Sequence, residues 1–329
     1  MTAVVFWLFG FFLFFSFNSS VAQAASAPTR VVITFGSFTE REAALYVAQD
    51  QGFFAKQHLD MKLVRVSGPV ALAALAGGDS QFYWGAATGA TLGAVAGGLD
   101  VVFVASLIHK LEGVIVVNPA IKSPMDLRGT TLGVQSIGGG VWMRTMLALN
   151  HWGLDPKRDN IRFRIIGDEA ALAQAVAARM IDGCYLGYTF GTLVERQGVR
   201  ILADLAKLNI PYQNTALLAQ RRFVYSSPDS VERVLRAFVE TVSFILDSTN
   251  KAAVMKSLAK GLRLPRLEDA SEGYERVINL YERRIYPNAE GIRSTIGLLG
   301  TTNENIRRLK AEDLIDDRFV KKLEQEGGF

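Results

Sequence analysis

Cysteine is almost missing from this chain: Cys184 is the one thiol in 329 residues. No disulfide can form within the chain, and no cysteine-built zinc site is available. Histidine is nearly as scarce. His58, His109 and His151 are too scattered for a His-x-x-x-His ligand spacing. Neither a catalytic metal nor any other cofactor is expected. Long blocks of one charge are missing too. The 36 basic and 32 acidic residues leave a formal net charge of +4, and Arg221-Arg222, Arg283-Arg284 and Arg307-Arg308 are isolated pairs. A nucleic-acid site wants clustered positive charge, so these pairs read as solvated helix faces and no nucleic-acid partner is expected.

What is present is an ordinary globular composition, 49% hydrophobic and 21% charged, at a length that suggests about two domains. Residues 4–17 are apolar, rich in phenylalanine and free of charge. As a helix this run spans only about 21 Å, short for a bilayer crossing. Ala22-Gln23-Ala24 follows as a small-x-small cleavage pattern. Residues 1–24 therefore read as a secretory signal peptide. No Lys or Arg precedes the apolar run, and an uncleaved anchor is the alternative. No cysteine near the cleavage site offers a lipid anchor, so the mature chain is expected free in the periplasm.

From residue 31 onward short apolar strands alternate with helical patterns across Gly-bearing turns. Strands are predicted at 31–35, 60–66, 82–85, 101–105 and 114–117, with helices at 42–51, 70–76 and 86–96. The pattern then restarts, with strands at 130–134, 161–166 and 183–186, near 201–202 and at 214–219, and helices at 141–152 and 169–179. After residue 224 the pattern is helical, with predicted helices at 230–246, 250–261, 267–285, 288–298 and 311–326. Such alternation indicates an α/β fold. The doubled block predicts two lobes, each a mixed, mostly parallel sheet flanked by helices, joined by two hinge crossings near 116–119 and 211–215. The expected division is 25–116 for the first part of lobe 1, 117–212 for lobe 2 and 213–329 for the return to lobe 1.

In such sheets ligands bind outside the carboxyl ends of the strands. The turns at Ser37, Gly68, Gly85 and Ser106 would open on that edge. The most informative stretch runs from Ser123 to Tyr188. Its strand at 130–134 leads into Ser136-Ile137-Gly138-Gly139-Gly140 and then a helix. Glycines let a backbone approach a ligand, and a helix N-terminus offers unpaired N–H groups. The tract lacks both the spaced glycines of a dinucleotide site and the Gly-Lys-Ser/Thr of a phosphate loop. Ser136, Gly138, Gly139 and Gly140 are therefore candidates for the second lobe's share of a binding site.

Other candidates follow the strand ends. Ser37, Phe38 and Thr39 could hold an anion or simply cap a helix. Gly68 opens the next helix. Trp84, Ala87 and Thr88 occupy the third-strand turn, where Trp84 is either a core aromatic or a stacking wall. Asp168 begins a helix and reads first as a cap. Tyr185, Tyr188 and Thr189 close the strand at 183–186. His109 follows the fourth strand, with a surface role the alternative. Helix N-termini suit a negative group, and Phe38, Trp84, Tyr185 and Tyr188 suit a planar or apolar body. The expected ligand is a small organic anion rather than bare nitrate.

Three segments carry a family resemblance. They are Gly52-Phe53-Phe54-Ala55-Lys56-Gln57-His58-Leu59, then Ala73-Ala74-Leu75-Ala76-Gly77-Gly78-Asp79 with Gly85-Ala86, then Ser123-Pro124-Met125-Asp126-Leu127-Arg128-Gly129. In this order they resemble the substrate-binding proteins of ABC importers for nitrate, sulfonates, taurine and thiamine-pyrimidine precursors. His58 stands where that family usually has glycine, and Thr130 where it has lysine. The resemblance implies a two-lobed, type II periplasmic-binding-protein-like fold, a monomer that captures a small molecule by hinge closure and presents it to an inner-membrane permease. It also leaves two alternatives: a pyrimidine-precursor binder, or a related-fold enzyme such as a desulfinase using Cys184. A cysteine inside an apparent strand with no nearby base reads as a buried structural thiol.

Overall fold

The computed structural model describes residues 27–329, so the expected signal segment lies outside the described residues. Its first sheet is built from β1 (Thr29–Phe35), β2 (Leu59–Arg65), β3 (Phe82–Gly85) and β4 (Val101–Ser106). Its second is built from β5 (Val114–Val117), β6 (Thr131–Val134), β7 (Arg162–Ile165), β8 (Gly183–Leu186) and β9 (Arg200–Asp204). The chain then returns to the first sheet as β10 (Ala216–Gln220). The strand orders are β2-β1-β3-β10-β4 and β7-β6-β8-β5-β9.

The two sheets repeat one plan. In the first, β1, β2 and β3 are parallel, and β10 lies antiparallel between β3 and β4. In the second, β6, β7 and β8 are parallel, and β5 lies antiparallel between β8 and β9. Each antiparallel strand is the one that has just crossed from the other lobe. This corrects the expected lobe boundary. Residues 114–117 pair with β8 and β9, so the first crossing precedes β5, between Ser106 and Val114. A run of four apolar residues looks the same at the end of one lobe as at the start of the next; only its pairing decides. The second crossing lies between Asp204 and Ala216. The two crossings touch: Lys110 bridges Pro211, and Asn214 N–H donates to the Ile108 carbonyl at 3.2 Å.

Helices α1 (Ala43–Asp50), α2 (Phe53–Lys56), α3 (Gly68–Gly77) and α4 (Gly89–Ala96) flank the first sheet. Around the second lie α5 (Gly140–His151), α6 (Glu169–Ala177) and α7 (Tyr188–Glu195). After β10 come α8 (Arg221–Ser226), α9 (Pro228–Leu246), α10 (Lys251–Leu262), α11 (Ser271–Val277), α12 (Ala289–Gly300), α13 (Glu304–Arg307) and α14 (Arg318–Gln325). Pro228 starts α9 without losing a hydrogen bond. The buried face of α9, with Val231, Val234, Leu235, Phe238 and Val242, has helical spacing. Phe238 meets Phe54 and Trp84 with ring centroids at 5.5 and 5.0 Å.

Several helices differ from expectation. The helix expected from residue 42 is preceded by a 3-10 turn, Glu40–Glu42. The one expected at 267–285 is a 3-10 turn and α11, ending at Val277. The one expected at 311–326 is a 3-10 turn followed by α14. Helix α7 was not foreseen, because its aromatic and small residues lack a clear period. Among the described residues no helix is long and apolar enough to cross a membrane, and no His/Cys/Asp/Glu group is placed to hold a metal ion.

His58 occupies a backbone position that suits glycine. It turns the chain from α2 into β2 with φ of +53°, the left-handed region. A side chain there costs about 1–2 kcal/mol, partly offset by the stiffness it lends the unfolded chain. His58→Gly is expected to raise stability by roughly 1 kcal/mol. Chemical denaturation of both proteins checks this, and an unchanged or lower midpoint would count against it.

Candidate ligand-binding cleft

The strand ends of both lobes face a common cleft, and a cavity of about 50 Å³ lies in it. From the first lobe it is lined by Ser37, Arg41 and Glu42 after β1, by Gly68 at the start of α3, and by Tyr83, Trp84 and Thr88 around the end of β3. The second lobe adds Gln135, Ser136, Gly139, Gly140 and Arg144, and the second crossing adds Thr215. The lobes touch around it. Gln135 Nε2 donates to the Gly36 carbonyl at 2.5 Å, and Ala90 N–H donates to the Gly138 carbonyl at 2.8 Å.

Donors dominate this cavity. Thr88 caps α4, its hydroxyl accepting from Thr91 N–H at 3.1 Å. Helix α5 has no such cap, because Gly139 at its N-cap has no side chain. A side chain at Gly139 would meet Ser136 Oγ at 2.4 Å, and one at Gly140 would meet an Arg144 terminal nitrogen at 2.8 Å. These glycines therefore keep the first-turn N–H groups open and admit the guanidinium. Arg144 is 4% exposed and Trp84 2% exposed. Trp84 Nε1 is buried with no hydrogen-bond partner among the described residues, and Arg144 Nε, which also lacks a hydrogen bond, lies 3.6 Å from the Glu112 carboxylate. The Glu42 carboxylate is already occupied, accepting from Ser37 Oγ at 3.0 Å and from Thr39 N–H at 3.0 Å.

Behind the cavity the lobes and crossings meet in one charged node. Glu112 lies on the first crossing, fully buried. Arg41 from the first lobe donates to it at 3.0 Å, and Arg144 from the second stands 3.6 Å away. Tyr185 Oη donates to the same oxygen at 3.0 Å, and Asn214 Nδ2 at 3.3 Å. Arg41 also bonds Tyr185 Oη and reaches Glu169 at 3.3 Å. Burial works against the Glu112 charge, but Arg41 and Arg144 outweigh it and hold the carboxyl below its usual range. Glu169 goes the other way. Burial pushes it up to about 8, against the pull of Arg41 and of the Gly187 N–H it accepts at 2.7 Å. Burial and the neighbouring Glu112 raise Glu40 as well. Glu40 reaches across the cleft to accept Tyr188 N–H at 2.6 Å, at the start of α7.

The expected residues divide accordingly. Ser37, Gly68, Trp84, Thr88, Ser136, Gly139 and Gly140 line the cavity, with Trp84 at the same time packed on Phe238. Phe38 lies against the Phe35 ring and beneath Arg65 and Arg263. Thr39 donates its hydroxyl to Glu42, and Ala87 is core. Asp168 caps α6 by accepting Ala171 N–H at 3.1 Å, and pairs with Arg65 at 3.5 Å. His109 contacts the Tyr286 carbonyl at 2.6 Å, and burial lowers its pKa. Tyr185 belongs to the node. Tyr188 donates its hydroxyl to Asp204 at 2.8 Å, and Thr189 N–H lies 3.4 Å from Glu40. Gly138 lies on the outer side of the cleft rather than in the cavity. Ser106, expected at the open edge, accepts from Gln213 Nε2 at 2.6 Å instead.

Sequence reasoning missed Arg41, Glu42, Tyr83, Gln135, Arg144 and Thr215. Arg144 left a signal: it is the lone charge in the apolar run 141–149. Such a charge is buried only when it has partners or a task.

A family profile described as NMT1/THI5-like matches residues 40–252. No match is found among curated protein sequences. Solved structures match across nearly the whole chain. One from Bordetella bronchiseptica RB50 is 20% identical with a TM-score of 0.81, covering 92% of this chain and 98% of that one. The periplasmic aliphatic sulphonate binding protein SsuA from Escherichia coli is 20% identical with a TM-score of 0.67, covering 88% and 92%. The periplasmic nitrate-binding protein NrtA from Synechocystis PCC 6803 is 14% identical with a TM-score of 0.73, covering 91% and 89%. Neighbours of this fold are mainly substrate-binding proteins, though one is a desulfinase.

The node makes stability depend on pH. Glu169 keeps its proton in the folded state up to about 8, whereas the unfolded side chain loses it near 4.5. Its contribution is therefore full below 4.5 and declines as pH rises toward 8. Glu169→Gln cannot ionise, so its stability relative to the wild type is expected to climb across that window. Urea midpoints at pH 5 and pH 8 test this; a constant difference would refute it.

Proposed function

Because this chain belongs to the NMT1/THI5-like family, we propose that it is the periplasmic solute-binding component of an ABC importer. It captures a small organic anion, of the sulfonate or aromatic carboxylate class, between its lobes. The hinge is the pair of crossings, and the reader is an inner-membrane permease. The observation that carries this reading is the cavity itself, lined by the buried Arg144 guanidinium and by Trp84, whose buried Nε1 has no hydrogen-bond partner among the described residues, and receiving the uncapped start of α5. A buried donor without an acceptor is costly, and an oxyanion in the cavity would give the guanidinium and the helix N–H groups an acceptor. That similarly folded SsuA and NrtA are named for sulfonate and nitrate binding supports an anion.

The enzyme alternative would need a reactive Cys184. That thiol is 1% exposed, its nearest acceptor is the Leu172 carbonyl at 3.9 Å, and burial pushes its pKa well above the usual range. A nucleophilic thiol needs the opposite environment.

Thermal unfolding of the purified protein against sulfonates, aromatic carboxylates, nitrate, bicarbonate and pyrimidines tests the reading. A ligand at 100 times its Kd adds about 2.7 kcal/mol of stability. The expected result is a shift with an organic anion recovered unchanged. Arg144→Gln should weaken that anion by about tenfold or more, the worth of a hydrogen bond to a charged group. No shift with any compound would sink the proposal, and Cys184-dependent consumption of a ligand would replace it with the enzyme.

A further inference from the structure

The cavity is small for an organic ligand. At about 50 Å³ it has room for a compact charged group and little more. Ligand pockets generally enclose about 300–1,000 Å³. The missing room lies immediately outside. An apolar groove of about 650 Å³ runs along the outer side of the cleft, with Leu72, Leu99, Leu299 and Ile306 on one wall and Ile137 and Trp142 on the other. The first wall belongs to the first lobe and its C-terminal helices, and the second belongs to the second lobe. The groove is thus shaped only when the lobes meet.

Cavity and groove are next-door neighbours along the chain at three places. Gly68 lines the cavity and Pro69 the groove; Thr88 lines the cavity and Gly89 the groove; Gly139 lines the cavity and Gly138 the groove. The partition between them is Gly89 against Gly138. The Trp142 ring stands at its edge. A Cβ added to Gly89 would stand 3.2 Å from Trp142 Cζ3 and 3.3 Å from Gly138 Cα, and one added to Gly138 would stand 3.3 Å from Ala90 N. Gly138 has φ of +76°, a conformation that disfavours any other residue. A single backbone hydrogen bond, Ala90 N–H to the Gly138 carbonyl at 2.8 Å, spans the joint. Parting it by the width of a hydrocarbon chain breaks that bond and shifts the half-buried Trp142 ring, the side chain the tail would then lie against. On the far side the chain would meet Trp142, half-buried, and Ile137, 53% exposed.

We infer that the ligand is an elongated amphiphilic anion. Its charged group fills the inner cavity, its apolar body passes between Gly89 and Gly138, and its tail lies in the outer groove against Trp142 and Leu299. This rests on the anion-binding reading above and specifies it further. The bound tail covers apolar surface from both lobes, so ligand length contributes to holding them together.

The test is a calorimetric titration of the purified protein with two homologous series, straight-chain alkanesulfonates and alkanecarboxylates from one to eight carbons. Benzenesulfonate and benzoate serve as aromatic probes. Affinity is expected to rise by up to about fourfold per methylene, the value of full burial, once the chain is long enough to pass the glycines. Trp142→Ala should flatten that slope. If short and long chains bind equally, or if the slope survives Trp142→Ala, the groove does not hold the tail and this inference fails while anion binding stands. If no member of either series binds, the anion reading itself fails and takes this inference with it.

Discussion

One buried carboxylate organises this molecule. Glu112 sits on the first crossing, out of contact with water, and its charge survives because Arg41 and Arg144 approach from opposite lobes. An unpaired buried charge costs several kcal/mol, so the pairing is a condition of the fold rather than an ornament on it. Asn214 ties the second crossing to the same oxygen. Charge compensation at Glu112 therefore draws on both lobes at once. Any motion that withdraws either lobe also withdraws a partner from Glu112.

Two of the second-lobe helix starts that face the first lobe, those of α5 and α7, have glycine at the N-cap, and they are treated differently. At α7 the N-cap is Gly187, and a side chain there would collide with Glu40 Oε1 at 2.8 Å. Its absence lets Glu40 reach over from the first lobe and occupy the helix start with a carboxyl group of the protein's own. At α5 the N-cap is also glycine, yet no protein carboxylate takes the place. The contrast sets an internal reference for what the proposed anion would do at α5. It would supply an acceptor where α7 already has one.

Much of the fold was legible from pattern alone. Short β-rich apolar runs between glycine-bearing turns placed nearly every strand, and Ser136 with the glycines after it lies on the cleft as its strand–turn–helix setting implied. What pattern could not give was pairing. Residues 114–117 are apolar whichever sheet takes them, so the boundary was set on the wrong side of β5. The node was illegible for a related reason. Glu40-Arg41-Glu42 carries no local mark of burial, yet Arg41 is 2% exposed, because its partners Glu112 and Tyr185 lie 71 and 144 residues away. Tyr185 and Tyr188 read as cleft aromatics, but their hydroxyls are consumed by Glu112 and Asp204. Side chains that serve long-range partners leave no local period to read.

The exchange of strands between lobes bears on how the chain acquires its shape. In the first sheet β4 has one neighbour, β10, and in the second β9 has one neighbour, β5. Strand β4 is made more than a hundred residues before the strand that joins it to its sheet. Until Ala216 to Gln220 is available, β4 has no strand partner, and a run that is buried throughout in the finished fold stays without its pairing. The first lobe to be synthesised is thus the last that can be completed. Completing that sheet requires loop closure across the whole second lobe, a long-range pairing of the kind that slows folding.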